Sequence, residues 1–262
     1  MKDILQEIIE NKAIEVATQK SLVPQEALLE IIKNMPPTHS IKQALASSNS
    51  GIISEFKRRS PSKGWIKESG DPTRVTVGYQ AAGASALSIL TDINYFGGTL
   101  KDIEAARPLV SIPIIRKEFI IDEYQLLEAR AVGADAVLLI AAALEVEQCH
   151  RLMDKAHELG LEVLLELHNE SELKYITPEV DMVGINNRNL GTFHTDVANS
   201  YKMAELLPKE MIKVSESGIS NPKTVAELQK AGFKGFLIGE NFMRTKDPGK
   251  ALEEFIGGIQ RN

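Results

Sequence analysis

Lysines, glutamates and one arginine stand where short apolar runs give way to loops, and side chains of these types can move protons and hold anions. The run Ile52–Phe56 holds Glu55 and is followed by Lys57; Pro113–Arg116 is followed by Lys117; Glu166 lies in Glu162–Leu167. Met182–Asn186 runs into Asn186-Asn-Arg188, and Ile212–Ser215 into Glu216. One charge at a strand end is ordinarily the start of a solvated loop, but five runs ending this way form a pattern. Burying any such group alone costs on the order of several kcal/mol, so these groups must pair. Three cations, Lys57, Lys117 and Arg188, match three carboxylates, Glu55, Glu166 and Glu216. Such a network is expected to draw lysine and glutamate pKa values toward neutrality, where they serve as general acids and bases.

A second signal comes late in the chain. Ser215-Glu216-Ser217-Gly218-Ile219 and Ile238-Gly239-Glu240-Asn241 place glycines after the last two apolar runs. Backbone N–H groups there, with a short helix starting near Asn241, can hold a phosphate dianion. Either glycine alone is more often a turn; the pair favours phosphate. Between the first run and the next helix lies Arg58-Arg59-Ser60-Pro61-Ser62-Lys63-Gly64-Trp65, either a solvated basic loop or a mobile loop gripping anions over the site.

Several classes are excluded. The chain has 262 residues with 30 Lys plus Arg against 36 Asp plus Glu, a net charge of −6, which argues against nucleic acid or an anionic membrane as partner. No stretch approaches the roughly 18 to 20 apolar residues of a membrane span, and the single cysteine, Cys149, suits a cytoplasmic setting. His150 and His157, seven residues apart on one expected helix, are too far apart to share a metal, and no Cys/His cluster exists. His168 reads best as a structural histidine. No Gly-x-Ser-x-Gly elbow supports acyl transfer.

The elements that must position these residues alternate. Eight apolar runs, the five above with Ala86–Thr91, Ala136–Ala141 and Gly235–Gly239, are mostly apolar on both faces, as strands of a covered parallel sheet are. Amphipathic segments separate them, and Gly83, Gly133, Gly160 and Gly232 sit where helix gives way to strand, each at an expected left-handed position. Eight such units indicate an α/β fold, a closed (βα)8 TIM barrel. An open doubly wound sheet is the competitor, weakened by the lack of a Gly-x-Gly-x-x-Gly turn after the first strand. Residues 1–50 form an N-terminal helical extension of a single 1–262 barrel domain. Helical spacing from Ile4 to Val16, a second helix from Pro24 to Ile32 and a short one over Ile41–Ala46 would either cap the barrel's bottom or cover its mouth.

These residues resemble the indole-3-glycerol phosphate synthase family, essentially from end to end. The matching stretches are Ile-Leu-x-x-Ile-Ile-x-x-Lys12-x-x-Glu15-Val, Ser54-Glu55-Phe-Lys57-Arg-Arg-Ser60-Pro61-Ser62, Leu90-Thr91-Asp92 with Tyr95-Phe96-Gly97-Gly98, and Arg116-Lys117-Glu-Phe119-Ile. They continue with Glu166-Leu-His168, Gly184-Ile-Asn186-Asn-Arg188-Asn-Leu, Ser215-Glu216-Ser217-Gly218-Ile219 and Gly239-Glu240. The resemblance implies a cofactor-free, metal-free ring closure of 1-(2-carboxyphenylamino)-1-deoxyribulose 5-phosphate to indole-3-glycerol phosphate with loss of carbon dioxide and water. It implies Lys117 as general acid, Glu166 as base or acid in dehydration, and Lys57, held by Glu55, as an anion-binding and proton-donating group. Ser60, Phe96, Phe119, Asn186, Arg188 and Glu216 would bind substrate; Lys57, Ser217, Gly218, Gly239 and Glu240 would bind its phosphate. Asn241-Phe242 departs from the Ser- or Ala-Leu pair often found there. A monomer is expected, with other tryptophan-pathway enzymes as possible partners. The alternatives are another phosphosugar barrel, similar to phosphoribosylanthranilate isomerase or the tryptophan synthase α subunit, and a non-catalytic metabolite-binding barrel.

Overall fold

Strands apolar on both faces need cover on both sides, and a closed barrel inside a ring of helices supplies it. The computed structural model of the protein describes residues 4–189 and 191–259; Leu190, which ends one of the matching stretches, lies outside them. Eight strands close into a parallel barrel: β1 (Ile52–Phe56), β2 (Ala86–Leu90), β3 (Ile114–Lys117), β4 (Ala136–Ile140), β5 (Glu162–Leu167), β6 (Met182–Asn186), β7 (Ile212–Glu216) and β8 (Phe233–Ile238). Each pairs with the next, and β8 returns to β1 with Ile53 opposite Leu237. Two strands run one residue beyond their apolar run, because the ladder continues through Leu90–Lys117 and Asn186–Glu216 pairs. Lys117 and Glu216 are thereby strand residues, Glu216 paired on both sides, with Asn186 and Leu237, and Lys117 on one, with Leu90.

Alternation along the strands divides the core in two. Ile53, Ala86, Ile115, Ala136, Leu138, Leu164, Met182, Val214 and Leu237 form one buried cluster inside the barrel, while Ile52, Leu87, Ile89, Ile114, Val137, Val163 and Val183 join the larger cluster beneath the helices. The side-chain period of two then puts Glu55 on the side of Ile53, Lys117 with Ile115, Glu166 with Leu164, and Glu216 with Val214. All four charges therefore enter the barrel's interior at its C-terminal end, above an apolar plug.

Gly83, Gly133, Gly160 and Gly232 all have positive φ, from 74° to 93°. A Cβ is strained in that conformation, which is why the same residue recurs where helix turns into strand.

The extension does both of the jobs expected of it. Helix α1 (Ile4–Leu22) reaches the C-terminal mouth, where Ile4, Leu5 and Ile8 line the central cavity. Helix α2 (Gln25–Ile32) packs Leu28 against Tyr124 and Leu127 of the helix Glu123–Ala131. Helix α3 (Ile41–Ser47), capped by Ser40 accepting from the Gln43 N–H, inserts Ile41 and Leu45 into the interior cluster from below. Among the described residues no helix is long and apolar enough to cross a membrane.

Candidate active site

The mouth encloses a cavity of about 360 Å³, within the usual range for a small organic ligand. Every residue expected to touch substrate lines it: Glu55, Lys57, Ser60, Phe96, Lys117, Phe119, Glu166, Asn186, Arg188 and Glu216 on its floor and walls, and Ser217, Gly218, Gly239 and Glu240 on the late-strand side. Five strands contribute the charges, and the barrel's curvature brings them together.

Pairing differs from one cation per carboxylate. Lys117 takes two, its Nζ lying 2.5 Å from Glu216 and 3.5 Å from Glu166. Lys57 pairs with Glu55 at 2.7 Å. Arg188 faces Glu240 at 3.8 Å instead, donates to Thr195 Oγ1 at 3.3 Å and lies 3.4 Å from Ser62 Oγ, across the mouth on the first loop. Asn186 donates to Glu166 at 3.1 Å and accepts the Arg188 backbone N–H at 2.9 Å, so one amide orients both the carboxylate and the loop that carries the arginine.

Glycine makes room for this geometry at two points. A Cβ on Gly184, in β6, would collide with the Glu216 carboxylate and crowd Leu164; one on Gly239 would strike Glu55. The charges are therefore packed against bare backbone, and water is displaced from one side of each.

Electrostatics follow from that burial. The Glu216 side chain is 1% exposed. Burial and the neighbouring Glu166 carboxylate push its pKa up to about 7 against the pull of Lys117. For Lys117 burial works downward, but the fields of Glu216, Glu166 and Glu55 outweigh it and the pKa rises. The expected drift toward neutrality thus holds for Glu216 and is reversed for Lys117, because two carboxylates share one ammonium. Glu166 goes down: burial opposes ionisation, but Lys117, His168 and the Asn186 hydrogen bond prevail. His168, expected to be structural, lies beside Glu166 with Nε2 3.3 Å from its Oε1 and Nδ1 3.7 Å from Glu172. Burial lowers its pKa, but Glu172 and Glu166 raise it further.

The first loop forms a small hairpin, Arg59–Ser60 against Gly64–Trp65. Its arginines are committed to the protein. Arg58 makes a two-pronged pair with Asp102 at 2.6 and 2.9 Å, and Arg59 lies over the Trp65 ring at 5.6 Å. Ser60, Ser62 and Lys63 of this loop line the cavity; Ser60 Oγ is buried and has no hydrogen-bond partner among the described residues. Phe96 and Phe119 face one another at 6.1 Å between ring centres.

On the late-strand side, Ser217 and Gly218 both adopt left-handed φ, 67° and 76°. Consecutive residues of this kind make a tight concave turn of backbone. Asn187 fixes that turn from behind, donating to Ser215 Oγ and to the Ser217 carbonyl at 3.1 Å each. Gly239 precedes the four-residue helix Glu240–Met243, and Arg244 at its end also lines the cavity, donating to Asn241 Oδ1 at 3.2 Å. Sequence reasoning missed Asn187 and Arg244. The doubled asparagine was the available signal for the first: successive strand-end residues point to opposite sides, so a polar pair implies two different tasks. Among the described residues no group of three or more His, Cys, Asp or Glu side chains is arranged to hold a metal ion.

Comparison with known proteins bears on which barrel this is. Residues 5–255 match the profile of the family described as indole-3-glycerol phosphate synthase. The chain belongs to the indole-3-glycerol phosphate synthase family. The protein of that name from Bacteroides thetaiotaomicron is 63% identical over 260 residues, covering 99% of this chain and 100% of the relative. The one from Magnetococcus marinus is 43% identical, covering 97% and 98%. Among solved structures, a variant tryptophan synthase alpha-subunit from Pyrococcus furiosus superposes with a TM-score of 0.60 at 15% identity, over 81% of this chain and 98% of that one. That likeness concerns the barrel alone.

Proposed function

We infer that this chain converts 1-(2-carboxyphenylamino)-1-deoxyribulose 5-phosphate to indole-3-glycerol phosphate, as a carbon–carbon lyase of tryptophan biosynthesis. One observation carries the reading: in a chain of this family, a single ammonium, Lys117, stands between two buried carboxylates at the barrel mouth, beside a second lysine and a pair of facing phenylalanines.

The family resemblance implies the roles, and that arrangement supports them. The aromatic carbon bearing the carboxylate attacks the ketone carbon, and Lys117 gives its proton to the ketone oxygen. Its two carboxylate partners keep it charged until the oxygen develops negative charge. Ring closure leaves a cationic imine beside the carboxylate; the C–C bond breaks, its electron pair restores aromaticity, and carbon dioxide departs. The substrate supplies its own electron sink, so binding it folded is most of the catalytic task. In dehydration Lys57, held by Glu55, protonates the leaving hydroxyl, and Glu166 removes the ring proton. Arg188 and Asn186 hold the anthranilate carboxylate, Phe96 and Phe119 wall the ring, and Ser60 donates to the substrate. Glu216 holds Lys117 in place. The backbone at Ser217, Gly218, Gly239 and Glu240, with Lys57, receives the phosphate.

The N-terminal helices share buried side chains with the barrel at both ends, which supports reading 1–262 as one domain. The lone Cys149, buried, favours a cytoplasmic setting.

Incubation with the carboxyphenylamino substrate, followed by indole fluorescence, tests the reading. Product should accumulate with release of carbon dioxide. Substrate binding without product would point to a metabolite-binding barrel, and isomerisation of phosphoribosylanthranilate without ring closure to another phosphosugar enzyme.

A further inference from the structure

The apolar face of α1 contains a lysine. Ile8, Lys12 and Val16 follow one another at intervals of four, and all three are buried; Lys12 is 3% exposed. A charge in a core-facing stripe needs partners, and Lys12 has three carboxylates: Glu15 at 2.6 Å, Asp92 at 2.8 Å and Glu118 at 3.1 Å. Burial works against the ammonium, but Glu118 and Asp92 more than compensate and its pKa rises.

Asp92 and Glu118 each have a second task. Asp92 caps the short helix Ile93–Phe96 by accepting the Tyr95 N–H at 2.7 Å, and that helix carries Phe96. Glu118 accepts the Phe119 N–H at 2.8 Å and the Thr91 hydroxyl at 2.8 Å. Its neighbour in sequence on the other side is Lys117. The two carboxylates thus anchor the backbone that carries the two phenylalanines, whose tilted rings lie 6.1 Å apart on the cavity wall, and one ammonium joins them. The same ammonium fixes α1, whose Ile4, Leu5 and Ile8 line the cavity one to two turns earlier.

We propose that Lys12 is a positioning residue that braces the Phe96–Phe119 wall of the cavity and latches α1 over the mouth, so that substrate affinity depends on a side chain that does not touch substrate. This rests on the ring-closure reading for its substrate, though the latch itself does not. Loss of the ammonium leaves the buried Asp92 carboxylate facing Glu118, whose remaining cation is Arg116 at 3.7 Å, and both the helix and the ring pair relax.

The test compares the full chain with Lys12→Met, a side chain of similar length without charge. KM for the carboxyphenylamino substrate should rise at least tenfold with kcat within threefold, because a misaligned aromatic wall weakens binding while the proton donors stay in place. A merely structural role would lower the active fraction and leave KM alone. Amide hydrogen exchange should accelerate over residues 4–22 and stay at wild-type rates in β1–β8. An unchanged KM, or unchanged exchange in α1, overturns the proposal. Should the wild-type chain form no product, the ring-closure reading fails, and the exchange measurement still decides the latch. If Lys12→Met does not fold, Lys12→Met/Asp92→Asn removes one charge of each sign and keeps a cap for the Tyr95 N–H; the same two effects are expected, and their absence there also overturns the proposal.

Discussion

Glu216→Gln isolates the cost of keeping a carboxylate in the floor of this barrel. The Glu216 side chain is 1% exposed and lies 2.5 Å from Lys117. Its pKa is raised from 4.5 to about 7 by burial first and the Glu166 charge next. The folded protein therefore holds a proton that the unfolded chain releases near pH 4.5. Stability from this group is complete below that point, declines as pH rises, and is gone above about pH 7. At roughly 1.4 kcal/mol per pH unit the decline amounts to about 3 kcal/mol. Glutamine mimics the protonated form and cannot ionise. Thermal unfolding should find the two proteins alike at pH 4.5 to 5, and the variant melting roughly 6 to 12 °C above wild type at pH 8.5. Glu166 does not confuse the comparison, since its pKa is lowered and its contribution changes only below the same window. His168 adds a smaller difference of the same sign, because Glu216 helps to raise it. Turnover should fall in the variant on the order of 10²-fold, as the neutral amide no longer fixes the Lys117 ammonium. A melting-temperature difference that stays flat from pH 5 to 8.5 would refute the burial argument.

Other perturbations probe the remaining parts. Lys117→Ala should reduce kcat by three or more orders of magnitude, about 4 kcal/mol in the barrier, with a near-wild-type circular dichroism spectrum; near-normal turnover removes the proton-donor assignment. Arg188→Ala should raise KM roughly 10- to 100-fold through loss of charge-assisted hydrogen bonds worth about 1.5–3 kcal/mol, and an unchanged KM moves the carboxylate contact elsewhere. Gly184→Ala should lower both stability, by about 1–3 kcal/mol, and turnover, because the new methyl displaces the Glu216 carboxylate. Wild-type melting and turnover in that variant would show that β6 and Glu216 have room to separate.

Much of the fold was legible because each unit repeats a local rule. Apolar runs mark strands buried on both faces, and the left-handed glycines at 83, 133, 160 and 232 mark where each helix stops. The charged strand ends were legible for the same reason: alternation puts Glu55 with Ile53 and Glu166 with Leu164 on one side of their strands before any contact is known. The hairpin arginines were not. Arg58 looks like an anion ligand until the fold sets Asp102 against it.

By itself, then, the sequence determined the eight-fold alternation, the side of each strand that carries charge, and the family. Only the tertiary structure decided who pairs with whom. Lys117 lies 99 residues from Glu216 and Lys12 lies 80 from Asp92; barrel closure sets those distances, and no local periodicity reports them. Pairing in turn fixes the electrostatics: two carboxylates around Lys117 raise its pKa, where one partner in a drier pocket would have left burial to lower it.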